Sequence, residues 1–280
     1  MLVVGYNKIL EELKRGAVNK PELAEIVSFY IDLLSAQART DVSSCESGAL
    51  AQEAVTRLGQ GLPILTLEAF QADRVALANL FDEIRAITAR HRPELATSLA
   101  AIGAWLEKKR ASILQLAVAY LCDGGEVYRG EAGLDGSLLT YILNHARRPF
   151  LRRYAKALAP FVDESIWYRP RCPICGGKPD FSALAKPTGA RRLLCSRCDF
   201  EWAFWRVACP FCGCDDPDQQ KYSVTEDRVY RLYTCEQCKR YLKTIDLREI
   251  AAERVLPVER ILTLTMDVQA QEAGYGAPPG

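Results

Sequence analysis

The sequence predicts a multidomain α+β protein, with an N-terminal α-helical bundle, two tandem metal-binding ribbons and a C-terminal helix. Two observations lead to this prediction. Residues 1–165 contain two of the eleven cysteines, and their apolar residues recur with the 3.6-residue period of α-helices. Residues 172–238 contain four Cys-x-x-Cys pairs, a density that is typical of small metal-binding ribbons.

The helical region is predicted from its periodicity and from the breaks in it. Apolar side chains follow helical spacing over residues 67–91, and Pro93 ends the pattern. Residues 137–158 predict a last helix that is kinked or split at Pro149. Because the periodicity fails soon afterwards, residues 1–165 are predicted to form the α-helical domain.

The four cysteine pairs have the spacing of two four-thiolate metal sites. Between the first and second pairs lie 19 residues, and between the third and fourth lie 22. A spacing close to Cys-x2-Cys-x15–20-Cys-x2-Cys is typical of a tetrahedral site with four thiolates. The predicted ligands are Cys172, Cys175, Cys195 and Cys198 in site 1, and Cys209, Cys212, Cys235 and Cys238 in site 2.

Internal repetition favours this sequential pairing. Each half begins with Cys-Pro-x-Cys-Gly and ends with a plain Cys-x-x-Cys, as two copies of one ribbon would. Gly176 and Gly213 suit a tight turn that requires positive φ. The alternative is an interleaved arrangement in which the first and third pairs share an ion. Each ion is iron or zinc, since both accept four thiolates in a tetrahedron.

Short runs of aromatic and β-branched residues between the cysteine pairs predict strands. The first ribbon is assigned to residues 166–207 and the second to residues 208–250. Residues 251–280 are predicted to form a C-terminal helix and a tail. Because the ribbons contain few apolar residues, metal binding is expected to supply most of their folding free energy.

Aromatic and cationic side chains lie close together in the ribbons and predict a protein-binding surface. The candidates are Trp202, Trp205, Arg206 and Arg231. Large aromatic residues and arginine are the side chains that most often anchor protein interfaces. The alternative interpretation is structural: the aromatic rings pack across the strands and shield the thiolates.

A second basic segment lies in the last predicted helix of the N-terminal region. It is interpreted either as a solvated helix face or as a docking patch for an acidic partner. Its members are Arg147, Arg148, Arg152, Arg153 and Lys156.

Composition disfavours several classes of function. The formal net charge of +1 becomes −3 with eight thiolates and two divalent ions, which argues against a nucleic-acid-binding protein. Neither a signal peptide nor an apolar run of membrane-spanning length is found, so a cytoplasmic protein without membrane insertion is expected. His91 and His145 stand apart from other catalytic residue types, and the chain is predicted not to be an enzyme.

Three cysteines lie outside the predicted ligand sets. Cys45 and Cys122 are interpreted as small buried apolar residues. Cys214 follows Cys212 by two positions and is interpreted as a spare cysteine rather than a ligand.

Two runs carry a resemblance to a known family: RRLLCSRCDFEWAFWRVACPFCG at residues 191–213 and CEQCKRYLKTID at residues 235–246. They resemble the formate dehydrogenase accessory proteins of the FdhE family, as does the ending TLTMDVQAQEAGY at residues 263–275. The eight predicted ligand cysteines coincide with the ligand cysteines of that family.

The resemblance implies a non-catalytic cytoplasmic maturation chaperone that binds the catalytic subunit of a molybdenum- or tungsten-dependent formate dehydrogenase. It also implies rubredoxin-like metal sites, in which iron has been implicated. Two alternatives stay open. One is an iron-dependent, rubredoxin-like redox protein that acts on the formate dehydrogenase, and the other is a nucleic-acid-binding zinc ribbon protein.

Overall fold

A computed structural model describes residues 3–18, 20–43, 47–109, 112–119 and 134–278. Cys45 and Cys122 lie outside these ranges, so their predicted burial stays a prediction. Among the helices in the described ranges, none is both long enough and apolar enough to cross a membrane.

Two compact units make up the described chain. The helical unit consists of Gly5–Gly48 and Leu65–Tyr154, and the ribbon unit contains Ala49–Ile64 and the chain from Ala155 onward. The segment Ala49–Ile64 therefore groups with the ribbons, although sequence periodicity assigns it to the helical bundle. The predicted domain boundaries describe domains that fold separately. The compactness of the two units does not test separate folding, so these boundaries stay predictions.

The fold is mixed α+β, as predicted, and its N-terminal part is helical. The helices of this part are α1 (Tyr6–Ala17), α2 (Ala24–Arg39), α3 (Gly48–Gly59), α4 (Arg74–His91), α5 (Ala96–Lys109), α6 (Ile113–Ala119) and α7 (Gly136–Leu158). Helix α4 begins later than its apolar pattern because the side chain of Asp73 accepts a hydrogen bond from the amide of Ala76. Helix α7 continues through Pro149 without a break.

Three of the five basic residues of α7 differ from both sequence interpretations, whereas Arg153 and Lys156 are exposed. Arg147, Arg148 and Arg152 are buried, so they form neither a solvated face nor an accessible docking patch. Arg147 donates a hydrogen bond to the carbonyl of Ala117, and the Arg152 guanidinium lies 4.4 Å from the ring centroid of Tyr6. These arginines support the packing of the helical unit. Sequence could not show this, because a buried arginine is recognised only by its tertiary partners.

The ribbon unit contains one six-stranded sheet. Its strands are β1 (Pro179–Leu184), β2 (Arg191–Cys195), β3 (Glu201–Phe204), β4 (Gln220–Val224), β5 (Tyr230–Cys235) and β6 (Arg240–Asp246). The spatial order is β3-β2-β1-β6-β5-β4. Each ribbon is an antiparallel three-stranded half, and the halves join through parallel pairing of β1 with β6. At this junction the hydroxyl oxygens of Ser182 and Thr244 lie 2.7 Å apart and are fully buried.

An apolar core covers one face of this sheet. Helices α8 (Leu256–Leu262) and α9 (Leu264–Glu272) contribute Leu256 and Met266 to a cluster with side chains from both ribbons. The members from the strands are Phe181, Ala183, Leu194, Tyr230 and Ile245. Each ribbon alone has few apolar residues, but the joined sheet and the C-terminal helices bury them together. This unit therefore has an apolar core that would stabilise it beside any bound metal.

A buried lysine ties the sheet to the junction between α8 and α9. The ammonium group of Lys243, on β6, donates hydrogen bonds to the carbonyls of Arg260 and Thr263 and pairs with the carboxylate of Asp267. Its side chain is 3% exposed, and burial lowers the pKa of this lysine. Lysine near the end of a helix satisfies carbonyl groups that have no partner within the helix.

Replacing Lys243 by methionine is expected to lower the free energy of unfolding by about 2–4 kcal/mol, because it removes the cation paired with the Asp267 carboxylate and one hydrogen-bond donor from each of two carbonyls. Urea denaturation followed by circular dichroism measures this change. Lys239→Met is the matched control, since Lys239 pairs with Glu236 at an exposed position and its loss should leave the midpoint almost unchanged. Equal effects of the two substitutions would show that the buried lysine is not a structural tie.

Candidate metal centres

The first cysteine pair of each ribbon lies in the same tight turn. The amide of Gly176 donates to the carbonyl of Cys172, and the amide of Gly213 donates to Cys209, each over 2.9 Å. Both glycines have positive φ, 70° and 78°, in the left-handed region that favours glycine. The ribbons are thus structural repeats.

The second cysteine pair of each ribbon makes a related turn without glycine. Asp199 and Lys239 adopt φ values of 55° and 53°, and their amides donate to the carbonyls of Cys195 and Cys235. A positive φ costs roughly 1–2 kcal/mol in a residue with a side chain. The ion pair of Asp199 with Arg260, 2.9 Å long and buried on the carboxylate side, helps to hold the first of these turns.

These turns bring the eight predicted ligand sulfurs together in the two sequential groups of four. Within each group the sulfur atoms all lie within 4.8 Å of one another. The measured sulfur–sulfur separations are 3.5–3.6 Å in site 1 and 3.7 Å in site 2. A tetrahedron with metal–sulfur bonds of about 2.3 Å has edges of about 3.8 Å, whereas a disulfide has a bond of about 2.05 Å. Each group could therefore bind one metal ion.

Hydrogen bonds direct N–H groups at several of these sulfurs. The amide of Arg197 donates to Cys195 over 3.4 Å, and the amide of Phe211 donates to Cys209 over 3.5 Å. In site 2 the side-chain amide of Gln220 also donates to Cys235, over 3.2 Å. Such donors stabilise the thiolate form, which is the form that binds metal.

The two groups differ in exposure. In site 1, Cys175 is half-buried and the other three cysteines are buried. In site 2, Cys212 is exposed and Cys238 is half-buried. Solvent and small reagents can therefore reach site 2 more easily than site 1.

The pKa shifts of the cysteines show why each group of four sulfurs needs a cation to become fully ionised. In site 1 burial raises the pKa of Cys172 and Cys198, while hydrogen bonds from the neighbouring thiols and the charge of Arg197 lower the pKa of Cys175. In site 2 burial opposes ionisation of Cys235, but hydrogen bonds from Cys238 and Gln220 lower its pKa to about 7. In each group the surroundings lower the pKa of one cysteine and so stabilise one thiolate. Ionisation of the other three thiols requires a nearby positive charge.

A buried arginine lies near each group. Arg197 acts on Cys175 in site 1, as its effect on the pKa shows. Arg191, on β2, is 3% exposed and its guanidinium lies 4.4 Å from the ring centroid of Tyr233. Burial lowers the pKa of Arg191, whereas Tyr233 and the charge of the Cys209 thiolate raise it. Both arginines reduce the negative charge that four thiolates would bring to a metal ion.

Cysteine spacing predicts the sulfur groups but not their other neighbours. Arg191 and Gln220 lie near site 2 because of the fold of the sheet, and no spacing rule identifies such residues. Arg197, in contrast, lies between Cys195 and Cys198 in the chain. Cys214 is buried beside Cys209 and Cys235, but it lies outside the group of four sulfurs.

The four predicted partner-binding residues differ in their exposure to solvent. Trp202 is fully buried, and its indole N–H donates to the carbonyl of Arg169 over 2.9 Å; its prediction as an exposed anchor is corrected. Arg231 is half-buried and pairs with Asp246 over 2.7 Å. Trp205 is 58% exposed and Arg206 is exposed, so a partner can reach only these two freely.

The fold and the two sulfur groups define a class: a helical unit combined with a pair of fused four-cysteine ribbons. The family model described as "FdhE, central domain" matches residues 171–206. The crystal structure of the FdhE protein from Pseudomonas aeruginosa has the same fold, with a TM-score of 0.57, 18% identity and coverage of 97% of this chain and 91% of that chain.

Curated relatives agree with this match. "Protein FdhE homolog" of Aquifex aeolicus is 27% identical over 91% of this chain and 87% of its own length. The homologue from Shewanella oneidensis is 31% identical, but only 38% of this chain and 35% of that protein are matched. The chain is therefore similar to the FdhE proteins over most of its length, and the resemblance found in its sequence is confirmed.

Serine substitutions are expected to remove the metals one at a time. Cys172→Ser should eliminate metal from site 1 and Cys235→Ser from site 2, because three thiolates bind a tetrahedral ion much more weakly. Cys214→Ser is the matched control and should retain both ions. Metal analysis of the purified variants measures the stoichiometry. If Cys214→Ser lost an ion, the assignment of ligands in site 2 would be wrong.

Chelation is expected to empty site 2 before site 1, because Cys212 is exposed. Wild-type protein can be treated with a chelator and a thiol-alkylating reagent, then digested and examined by mass spectrometry over time. The peptide with Cys209 and Cys212 should be alkylated first, and the peptide with Cys172 and Cys175 later. Simultaneous alkylation, or the reverse order, would contradict the difference in accessibility.

Proposed function

We propose that this chain is a cytoplasmic accessory protein, a maturation chaperone needed to produce active formate dehydrogenase, and that it binds the catalytic subunit of that enzyme. The similarity to FdhE proteins supports the identity of the client. The manner of binding is supported by one observation: the exposed residues Trp205–Val207 directly follow β3, the last strand of the first ribbon. A metal-stabilised ribbon thus carries an exposed aromatic and cationic segment.

The metals would act by holding this surface in shape. One iron or zinc ion in each sulfur group would tie the two turns of a ribbon together, so strands and loops between the turns would lose conformational freedom. Preorganised loops bind partners with a smaller entropic cost. Turnover at the metal is unnecessary for this role.

The two histidines have contacts that suit a non-catalytic protein. His91 lies 2.9 Å from the carboxylate of Asp32, which also pairs with Arg90. His145 packs edge-on against Tyr141, with ring centroids 4.5 Å apart. Both lie in the helical unit, and we propose that the chain is not an enzyme.

A redox function is the second candidate, and the exposure of Cys212 favours it, since electrons could reach site 2 from solvent. The two candidates differ in what the metal must do. Protein loaded with zinc cannot undergo one-electron chemistry at the metal, but its ribbons should fold. Equal capture of the client and equal recovery of formate dehydrogenase activity with zinc-loaded and iron-loaded protein would support the chaperone. Recovery with iron alone would support the redox protein.

Deletion of the gene for this chain should abolish formate oxidation by cells while the catalytic subunit is still synthesised. Immunoblotting for the subunit and a formate oxidation assay measure the two effects separately. Tagged wild-type chain should also capture the purified catalytic subunit. Failure of wild-type protein to bind any formate dehydrogenase catalytic subunit would refute the proposed function.

Trp205→Ala should weaken this capture by about 1–3 kcal/mol, because a large exposed aromatic ring is a typical interface anchor. Tyr222→Ala is the matched control, since Tyr222 is 57% exposed on edge strand β4. Both variants should retain two metal ions, as checked by metal analysis. Unchanged affinity of Trp205→Ala would place the binding surface elsewhere.

A further inference from the structure

An exposed apolar patch lies beside the last strand of the first ribbon. Trp205 is 58% exposed, Val207 is 64% exposed and Tyr168 is 43% exposed. The rings of Tyr168 and Trp205 pack against each other with centroids 4.8 Å apart. Large apolar side chains grouped on a surface commonly mark an interaction site. We call Tyr168, Trp205 and Val207 the aromatic patch.

Arg206 lies within this patch and has no hydrogen bond or ion pair among the described residues. Two other arginines of this unit are differently placed: Arg231 and Arg248 both pair with the carboxylate of Asp246, each over 2.7 Å. That carboxylate is thus already shared by two guanidinium groups. Arg206 therefore has no carboxylate partner among the described residues.

Backbone geometry brings further positive charge to the same place. At Gly189, in the turn between β1 and β2, a Cβ atom would lie 3.3 Å from a guanidinium nitrogen of Arg206 and 3.2 Å from Cδ of Arg248. The side chains of Arg206 and Arg248 therefore converge over this turn. Gly189 has a φ of 71°, and its missing side chain leaves room for them.

A buried arginine two residues after Gly189 adds to the positive potential. Arg191 is 3% exposed, and its Nε and Nη2 atoms have no hydrogen-bond partner. The charge of Arg206 also acts on Arg191 and opposes its protonated form. An anion bound at Arg206 would relieve this repulsion. The patch thus combines an apolar surface with exposed positive charge.

Resting on the function proposed above, we propose that the aromatic patch and Arg206 bind an acidic segment of the partner protein, in which a carboxylate contacts Arg206 beside an apolar side chain on Trp205. Charge complementarity selects this occupant. A nucleic acid would also supply negative charge, but the formal net charge of −3 on the metal-loaded chain opposes a long polyanion more strongly than a short acidic segment. A short acidic and apolar peptide matches both features of the surface.

The test uses full-length protein with both metals and a synthetic peptide of repeated Glu-Glu-Leu units, whose binding is followed by calorimetry and by tryptophan fluorescence. The peptide should bind, and its affinity should fall as salt is added. Arg206→Gln should weaken binding about tenfold or more. Arg153→Gln is the matched control, because Arg153 is exposed in the helical unit, and it should bind the peptide like wild type.

Three results of the ligand titrations would overturn the inference. They are equal affinity of Arg206→Gln and wild type for the Glu-Glu-Leu peptide, equal binding of a Gln-Gln-Leu peptide, and tighter binding of a single-stranded oligonucleotide. Sedimentation of the protein alone adds a further check, since a dimer that Arg206→Gln dissociates would identify a second copy as the occupant and overturn the acidic segment.

Client capture separates this inference from the proposed function. If wild-type protein binds the peptide but not the formate dehydrogenase catalytic subunit, the proposed function fails and the acidic-segment surface stands. If Arg206→Gln captures the subunit as well as wild type does, the inference fails and the proposed function stands. Metal analysis of Arg206→Gln must show two ions in both cases, so that a folding defect is not read as lost binding.

Discussion

Repulsion between thiolates is the constraint on which the ribbon unit depends. Each ribbon gathers four sulfurs within 4.8 Å, and two unit charges at about 4 Å repel by about 4 kcal/mol even at an effective dielectric constant of about 20. Four ionised thiols could not stay together without a cation. The buried Arg191 and Arg197 compensate part of this charge, and a divalent ion in each group would compensate the rest and supply the bonds that close both turns.

The parallel pairing of β1 with β6 turns two small ribbons into one unit. This pairing joins the apolar faces of the two ribbons. Helices α8 and α9 cover the joined face, so the ribbon unit has an apolar core as well as its two sulfur groups. The two sulfur groups are then connected through a single sheet. Loss of one ion should therefore disturb its own turns first, while the shared core resists complete unfolding. Trp205 and Arg206 directly follow β3, so the strand restrains the backbone at this surface.

Much of this arrangement could be predicted from the sequence, because cysteine spacing and glycine positions are local signals. The grouping of Cys172 with Cys198 and of Cys209 with Cys238 follows from two repeated patterns. The joining of the ribbons could not be predicted, since the pairing of β1 with β6 is set by side chains far apart in the chain. For the same reason Trp202 could not be distinguished from Trp205: both are tryptophans near one cysteine pair, and only the fold shows that one is enclosed.

The arginines illustrate the same limit. Arg147 and Arg206 both have apolar neighbours in the sequence, yet Arg147 is buried against Ala117 while Arg206 is exposed. The pattern of charges along a chain does not indicate which guanidinium groups find partners in the folded protein. Those that find none, such as Arg206, are the ones available to a second molecule.

X-ray absorption spectroscopy of the anaerobically purified wild-type protein tests the central claim, that two tetrathiolate metal sites hold the ribbon unit in shape. The spectrum should show four sulfur neighbours at about 2.3 Å around each ion, and the absorption edge identifies iron or zinc. Nitrogen or oxygen ligands in place of sulfur, or protein that is fully folded with no bound metal and with disulfides between the paired cysteines, would contradict the account.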